Sequence, residues 1–568
     1  MLKQTLKIFS IDESETFAAN AFKVLLYYFM IISPLLFFFK HFGFVADDLQ
    51  LLKSSLENHF PVLIDWNRSQ ANLYRPVVIL SFFLNYLISG CNPYSYYLFN
   101  FFVHLFCSFF VFLISYEISG INESKKIILP SFLFGLVFLI IPQNIMNVLW
   151  ISGRTDLVCA LFLFISFYFL IKYLNSGDLL LLFSTIILFV LSCMSKETAM
   201  LGNFYFALLV LLLMLKKSKI NYKRLILPYL SASALYILFR FFIFSTKAFV
   251  GSGFGEKHAP VDLKYFLYGL WSIFSPIGVV DALFIDHYKF FLAFILLLLS
   301  IIFLFTFLKL TINFRAKENL LSLIFSVVIL TSSLMIYFKA YPQMRLMYVH
   351  YPILFIGLAF IIKKIEAKKL FIFIMILAFA GLAIYGDFLV VKRTFIINKF
   401  YSNLEQVIPS FDDYKKMKVC FLLTPLARLG ESWADPDVEL IASMKYDSIP
   451  DHRYTKFEKA AYYEGNSFSE PDASINYHVY KSNIMVSENY SGGFVPFPTK
   501  KFDHLTLVKN NFDIVPKDFQ NYKKGIASKI LIKFNPVLNQ DSCMVIYFSD
   551  TGLKLAGLKN FLESYSHD

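Results

Sequence analysis

Long apolar runs, repeated along two thirds of the chain and parted by short polar breaks, restrict this sequence more than any motif. They fall at about 22–42, 94–117, 127–142, 155–174, 179–194, 199–215, 225–244, 289–308, 319–338, 347–362 and 370–391. A helix needs about 20 apolar residues to cross about 30 Å of hydrocarbon, and these runs sit at or near that length. Composition closes off the soluble alternative. Charged residues make up only 16% of the 568, against about 25% in soluble chains, and mean hydropathy is +0.59. No water-soluble core of this size hides 68 Phe, so lipid must solvate much of the surface. The expected fold is an all-α polytopic domain of about 11 transmembrane helices over residues 1–392.

The net charge of +13 does not indicate a nucleic-acid partner, because the basic residues follow a topology pattern. Alternate breaks (119–126, 175–178, 216–224, 310–318, 363–369) hold thirteen Lys and Arg, and the opposite short breaks (143–154, 193–198, 339–350) hold four. Basic residues collect in cytoplasmic loops. The bias therefore puts the N-terminus in the cytoplasm and, after eleven crossings, the C-terminus outside. The first run has no cleavage pattern behind it and reads as a retained helix.

Two apolar segments are too short or too interrupted to cross. Pro76 to Ile88, within an outer loop 44–93, reads as a helix lying in the interface, and 262–284 as an interfacial or re-entrant piece. Beyond 392 the texture becomes ordinary. Residues 393–568 predict an extracytoplasmic soluble α/β or α+β domain, with strands at Val419–Leu423, Ile530–Phe534 and Met544–Phe548. Cys420 and Cys543 lie in it and are available to pair in an oxidising compartment.

The candidate site residues are polar groups stranded at the outer membrane edge, where ionisable side chains usually line a cavity or pathway. Asp47 and Asp48 follow the first span. An adjacent carboxylate pair suits a general base with an orienting partner, or a divalent cation held by oxygen ligands. A solvated helix start is the plainer alternative. Arg75 precedes Pro76, and suits a carboxylate or phosphate partner or a snorkelling role. Trp150-Ile151-Ser152-Gly153-Arg154-Thr155-Asp156 opens a span with an Arg and an Asp that either pair with each other or serve a ligand. Lys196 and Glu197 occupy a hairpin tip, and Arg345 and Tyr348 open a late span among aromatics. His104, inside an apolar run, reads as a hydrogen-bonded core residue, and no His/Cys cluster has metal spacing.

Taken in order, the outer Asp-Asp, Tyr74-Arg75-Pro76, the Asn92-Pro93 turn, the Trp150–Asp156 stretch, Ser195-Lys196-Glu197 and Arg345-Leu346-Met347-Tyr348 form one series. The series resembles the multi-span glycosyltransferases of the GT-C fold, nearest the bacterial relatives and the membrane half of the tetratricopeptide-containing O-mannosyltransferases. The resemblance runs over about 20–390 and is most specific at Tyr74–Asn100 and Trp150–Asp156. It implies a polyprenyl-phosphate sugar donor, a glycan, lipid or protein acceptor, and a bacterial inner membrane. It also implies Asp47 as the base with Asp48 second, and Lys196, Arg345 and Arg154 at the donor phosphate. Arg75, Glu197, Asp156 and Tyr348 are supporting residues. A leaving phosphate gains charge as the glycosidic bond breaks, so cations at its height favour the transition state. The alternative function is a transporter or flippase of a lipid-linked sugar. Against it, no inverted repeat or midplane charge is evident in the sequence.

Overall fold

The computed structural model describes residues 16–45, 47–57, 75–120, 128–203, 222–244, 348–349 and 369–407, and the strands and final helix between 418 and 565. In chain order the helices are α1 (Phe17–Ile32), α2 (Leu36–Phe39), α3 (Asp48–Glu57), α4 (Pro76–Ser89), α5 (Pro93–Gly120) and α6 (Ile128–Ile140). They continue with α7 (Pro142–Val148), α8 (Arg154–Ser176), α9 (Leu179–Cys193), α10 (Tyr222–Phe244), α11 (Lys369–Val407) and α12 (Leu558–Tyr565).

Among the described residues three stretches are long and apolar enough to cross a membrane: Phe17–Phe39, Pro93–Ile118 and Ile151–Ser176. A fourth is added if α6 and α7, bent by 60° at their junction, form one broken span. The described residues therefore confirm three or four of the expected eleven. The runs 289–308 and 319–338, the piece 262–284 and nearly all of 199–215 and 347–362 lie outside the described residues. The run at 179–194 forms the 15-residue α9, shorter than a full crossing. Pro76–Ile88 forms α4. Large apolar side chains such as Phe22, Phe37, Leu180 and Phe183 stand on the outside of their helices, which suits a chain solvated by lipid.

Two compact units divide the chain: Met1–Lys40, Asn58–Asn85 and Tyr94–Val390 in the first, His41–Glu57, Tyr86–Pro93 and Val391–Asp568 in the second. In the first unit α5, α6, α8, α9 and α10 share a buried core that includes Cys107, Phe138, Leu163, Phe189 and Tyr229. Close approach there is set by Gly135, where an added Cβ would meet the hydroxyl of Tyr28 and lie 2.8 Å from the Ser108 carbonyl oxygen.

The break between α6 and α7 has a definite chemical cause. Pro142 has no N–H, so the Phe138 carbonyl loses its i+4 donor, and Ile141 before it adopts an extended conformation. Buried carbonyls require partners. The Asn144 side-chain amide donates to the Phe138 carbonyl at 2.7 Å, and His104 Nε2 lies 3.0 Å from the carbonyl of Leu139. A carbonyl only accepts, so Nε2 carries the proton. Nδ1 then accepts from the hydroxyl of the buried Tyr348 at 2.7 Å.

Helices α8 and α9 form an antiparallel hairpin. Gly177, with φ +74°, ends α8 by donating to the Tyr173 carbonyl, and Asp178 caps α9 by accepting from Leu180 N–H at 2.9 Å. Ser166 and Ser192 cross-link the pair: their hydroxyls donate to Thr185 O at 2.8 Å and Cys159 O at 2.6 Å. At the far end the chain turns through Met194–Lys196 into a short 3-10 helix, Glu197–Leu201.

The second unit carries the residues that follow the first span. Gly43 N–H donates to Asn398 Oδ1 at 2.6 Å, and Phe42 packs edge-on against Phe395, tying this stretch to the later part of α11. Nine of the described strands of the unit form one mixed sheet. Its path runs β11-β10-β1-β4-β7-β9-β6-β5, with β8 also on β9. In it β1 (Lys418–Pro425) is parallel to β10 (Cys543–Ser549) and β4 (Glu458–Glu464). The remaining pairings, among β5 (Ile475–Tyr480), β6 (Asn483–Glu488), β7 (Gly493–Pro496), β8 (Leu505–Phe512), β9 (Ala527–Phe534) and β11 (Gly552–Gly557), are antiparallel. A separate hairpin joins β2 (Ala427–Leu429) to β3 (Ser432–Ala434). Register separates the two cysteines: Cys420 stands opposite Val545 and Cys543 opposite Lys418. A two-residue offset across neighbouring strands is about 8 Å between Cα atoms, beyond the usual span of a disulfide.

Candidate functional site

At one end of the first unit, three separated stretches of sequence form an interlocked set of charges. The guanidinium of Arg75, just before α4, grips Glu197 side-on, with Nε to Oε2 at 3.2 Å and Nη2 to Oε1 at 2.7 Å. Lys196 Nζ donates to Asp156 Oδ1 at 2.6 Å, and both of these side chains are almost fully buried. Asp156 lies in the first turn of α8, where the helix dipole favours a carboxylate. The two pairs also feel each other, since Arg75 is stabilised by Asp156 and Glu197 by Lys196. Burial opposes ionisation of Glu197, but Arg75 and, less strongly, Lys196 outweigh it and hold its carboxyl at about 2. Glu197 is therefore an anion throughout the physiological range.

Arg154, two residues before Asp156 and so on the other face of α8, is placed differently from the expected phosphate ligand. Its guanidinium is wholly buried and donates to Asn100 Oδ1 (3.1 Å), Asn85 Oδ1 (2.8 Å) and the carbonyls of Ser81 and Tyr96 (3.2 Å each). The rings of Phe99 and Phe82 lie 4.2 and 4.4 Å from its Cζ. Asn100 completes the cage, its amide reaching the Trp150 and Ile151 carbonyls at 3.0 and 3.2 Å. Gly153 makes this possible, because a Cβ there would collide with the backbone of Asn147. The Tyr74–Asn100 and Trp150–Asp156 stretches are thus bound to each other through Arg154 and Asn100, and α4 is fixed by the same contact.

The remaining candidates lie as follows. Tyr348 is buried against His104 and Phe138, while Arg345 lies outside the described residues. In the second unit Asp47 and Asp48 part company. Asp47 is exposed at the start of α3, its carbonyl accepting from Leu51 N–H at 3.0 Å. Asp48 is fully buried, and its Oδ2 accepts from Val45 N–H at 2.9 Å, closing the turn that leads into the helix. Of the adjacent pair, the solvated helix start is thus Asp47 and the buried carboxylate Asp48. One exposed and one buried, hydrogen-bonded carboxylate do not make a shared oxygen set for a divalent cation, which takes at least six oxygen ligands. Among the described residues no group of three or more His, Cys, Asp or Glu side chains is arranged to hold a metal ion.

Sequence reasoning missed Asn85, Asn100 and Asn398 as site-building residues. Their signal was present: an Asn within an apolar helix needs a buried polar partner.

No family model matches the chain. Part of it is similar to two curated proteins. One is protein O-mannosyl-transferase Tmtc1 of Drosophila melanogaster, 33% identical over 129 residues, which is 22% of this chain and 14% of that protein. The other is protein O-mannosyl-transferase TMTC2 of Homo sapiens, 35% identical over 108 residues, 18% of this chain and 12% of that protein. The chain thus matches well under two thirds of the length of either relative.

Proposed function

We propose that this integral membrane protein is a glycosyltransferase of the GT-C kind. It moves a sugar from a polyprenyl-phosphate donor to a glycan, lipid or protein acceptor on the outer face of a bacterial inner membrane. The observation that carries the reading is the interlocked set Arg75, Asp156, Lys196 and Glu197, two cations and two anions drawn together at one end of the helices. Partial similarity to two O-mannosyl-transferases supports the same reaction class.

In this reading the acceptor hydroxyl attacks the anomeric carbon while its proton passes to Asp47, the exposed carboxylate of the pair. The glycosidic C–O bond breaks, and the departing lipid phosphate gains negative charge. Arg75 and Lys196 meet that charge, with Arg345 as a further cation, and such electrostatic support acts most strongly where water is excluded. Asp48 holds the turn that presents Asp47. Arg154, with its cage of acceptors, positions α4 and therefore Arg75. Tyr348, held by His104, supports the segment that carries Arg345.

Purified protein incubated with labelled polyprenyl-phosphate sugar should transfer or hydrolyse the sugar. Asp47→Asn keeps the shape of the side chain and removes its proton-accepting charge. Turnover should fall by about 10²–10⁴-fold, with donor binding kept. Full activity of a folded Asp47→Asn protein would remove the base assignment, and movement of the lipid-linked sugar without cleavage would point to a transporter.

A further inference from the structure

We propose that the Glu197 carboxylate holds the place on the Arg75 guanidinium that the donor phosphate takes on binding, so that donor entry exchanges one anion for another. The inference rests on the glycosyltransferase reading and adds a gating step to its phosphate site.

Charge balance motivates it. Arg75 and Lys196 face Glu197 and Asp156, so the set is neutral as it stands and each cation already has a carboxylate. A phosphate monoester brought into that set must displace one carboxylate or share its cation at the cost of like-charge repulsion. The two carboxylates differ sharply in their freedom to leave. The Asp156 side chain is 1% exposed and fixed in the first turn of α8, against a lysine only 7% exposed. Glu197 is 30% exposed at the first residue of a five-residue 3-10 helix on a hairpin tip. Glu197 is therefore the one that can swing aside.

Geometry adds a second point. Arg75 meets Glu197 with two N–H groups, Nε and Nη2, a fork that matches two oxygens of a phosphate as well as two of a carboxylate. The Arg75 side chain is itself 18% exposed. The Arg154 cage holds α4 through Ser81 and Asn85, in the body of the helix that Arg75 precedes, while the partner anion changes. Exchange then requires a side-chain motion at Glu197 and leaves the helix ends in place.

The test measures binding of a polyprenyl phosphate to the full chain in lipid nanodiscs, with inorganic phosphate as the water-soluble comparison. Glu197→Gln and Glu197→Ala should each bind the polyprenyl phosphate about tenfold tighter than the unaltered protein, the worth of one removed competitor. Arg75→Gln should bind it more weakly, and in that background Glu197→Gln should gain nothing, since the competition it relieves no longer exists. A matching gain for inorganic phosphate would place the recognition in the headgroup alone, and a gain confined to the lipid would place it at the membrane surface. Either supports exchange. Equal or weaker binding by both folded Glu197 variants overturns it, as does an undiminished gain in the Arg75→Gln background, which would reflect only the general field. If the unaltered protein and all variants fail to bind the lipid, the glycosyltransferase reading falls as well. Binding by the unaltered protein without the gain removes the exchange alone.

Discussion

Arg154 shows how a residue's neighbours decide its work. A buried guanidinium reaching two acceptors on α4 and two on α5 cannot be replaced by a lysine ammonium, which offers three donors from one point. Arg154→Lys should therefore destabilise the first unit by about 2–4 kcal/mol, since each stranded buried acceptor costs about 1–3 kcal/mol. Thermal unfolding in a fixed detergent would measure it. A variant as stable as the parent, but weakened only in binding a polyprenyl phosphate, would restore Arg154 as a phosphate ligand. The sequence already placed Arg154 and Asp156 at the head of a span. It could not say that they face different partners, because the pairing depends on Asn85, Asn100 and Lys196, at least 40 residues away in the chain.

Among the elements, those set by local chemistry were the most legible. The apolar runs of α5 and α8 and the short polar break 175–178 between α8 and α9 follow from residue type and spacing. The short 3-10 turn Ile151–Gly153 did not, since it exists to bring Gly153 against the backbone of Asn147. Two glycines near these helices make separate points. Gly177→Ala puts a side chain into a left-handed position with open space around it, and should cost about 1–2 kcal/mol from backbone strain alone. Gly153→Ala meets no such backbone penalty, yet its Cβ would stand 2.7 Å from Asn147 Cα, so overpacking should cost about 1–3 kcal/mol. It should also weaken donor binding, because Arg154 is the next residue. Comparing melting temperature with polyprenyl-phosphate affinity for the two variants separates the effects. Equal losses of affinity in both would show that the turn does not position the cage.

At the scale of the whole molecule, the apolar runs and the change of texture near residue 392 were readable, as was the strand character of β1, β9 and β10. The mixed strand order was not, because parallel pairing of β1 with β4 and β10 brings together stretches far apart in the chain. Sidedness remains the most direct statement the sequence makes about the intact protein. By the bias of basic residues toward cytoplasmic loops, thirteen on one set of loops against four on the other predict an orientation with the charged site outside. The Gly177-Asp178 turn should then lie in the cytoplasm, at the opposite end of the α8–α9 hairpin from Lys196 and Glu197. Single cysteines introduced at the exposed positions Asp178, Asn92 and Glu563, in a background lacking the native cysteines, provide the readout. A membrane-impermeant thiol reagent applied to intact cells should label Asn92→Cys and Glu563→Cys and leave Asp178→Cys unlabelled until the membrane is opened. Labelling of Asp178→Cys from outside would reverse the orientation and place Arg75, Lys196 and Glu197 on the cytoplasmic face. Protection of Glu563→Cys alone would mean an even number of crossings before the sheet, and the segment 262–284 would be the first candidate for the extra one.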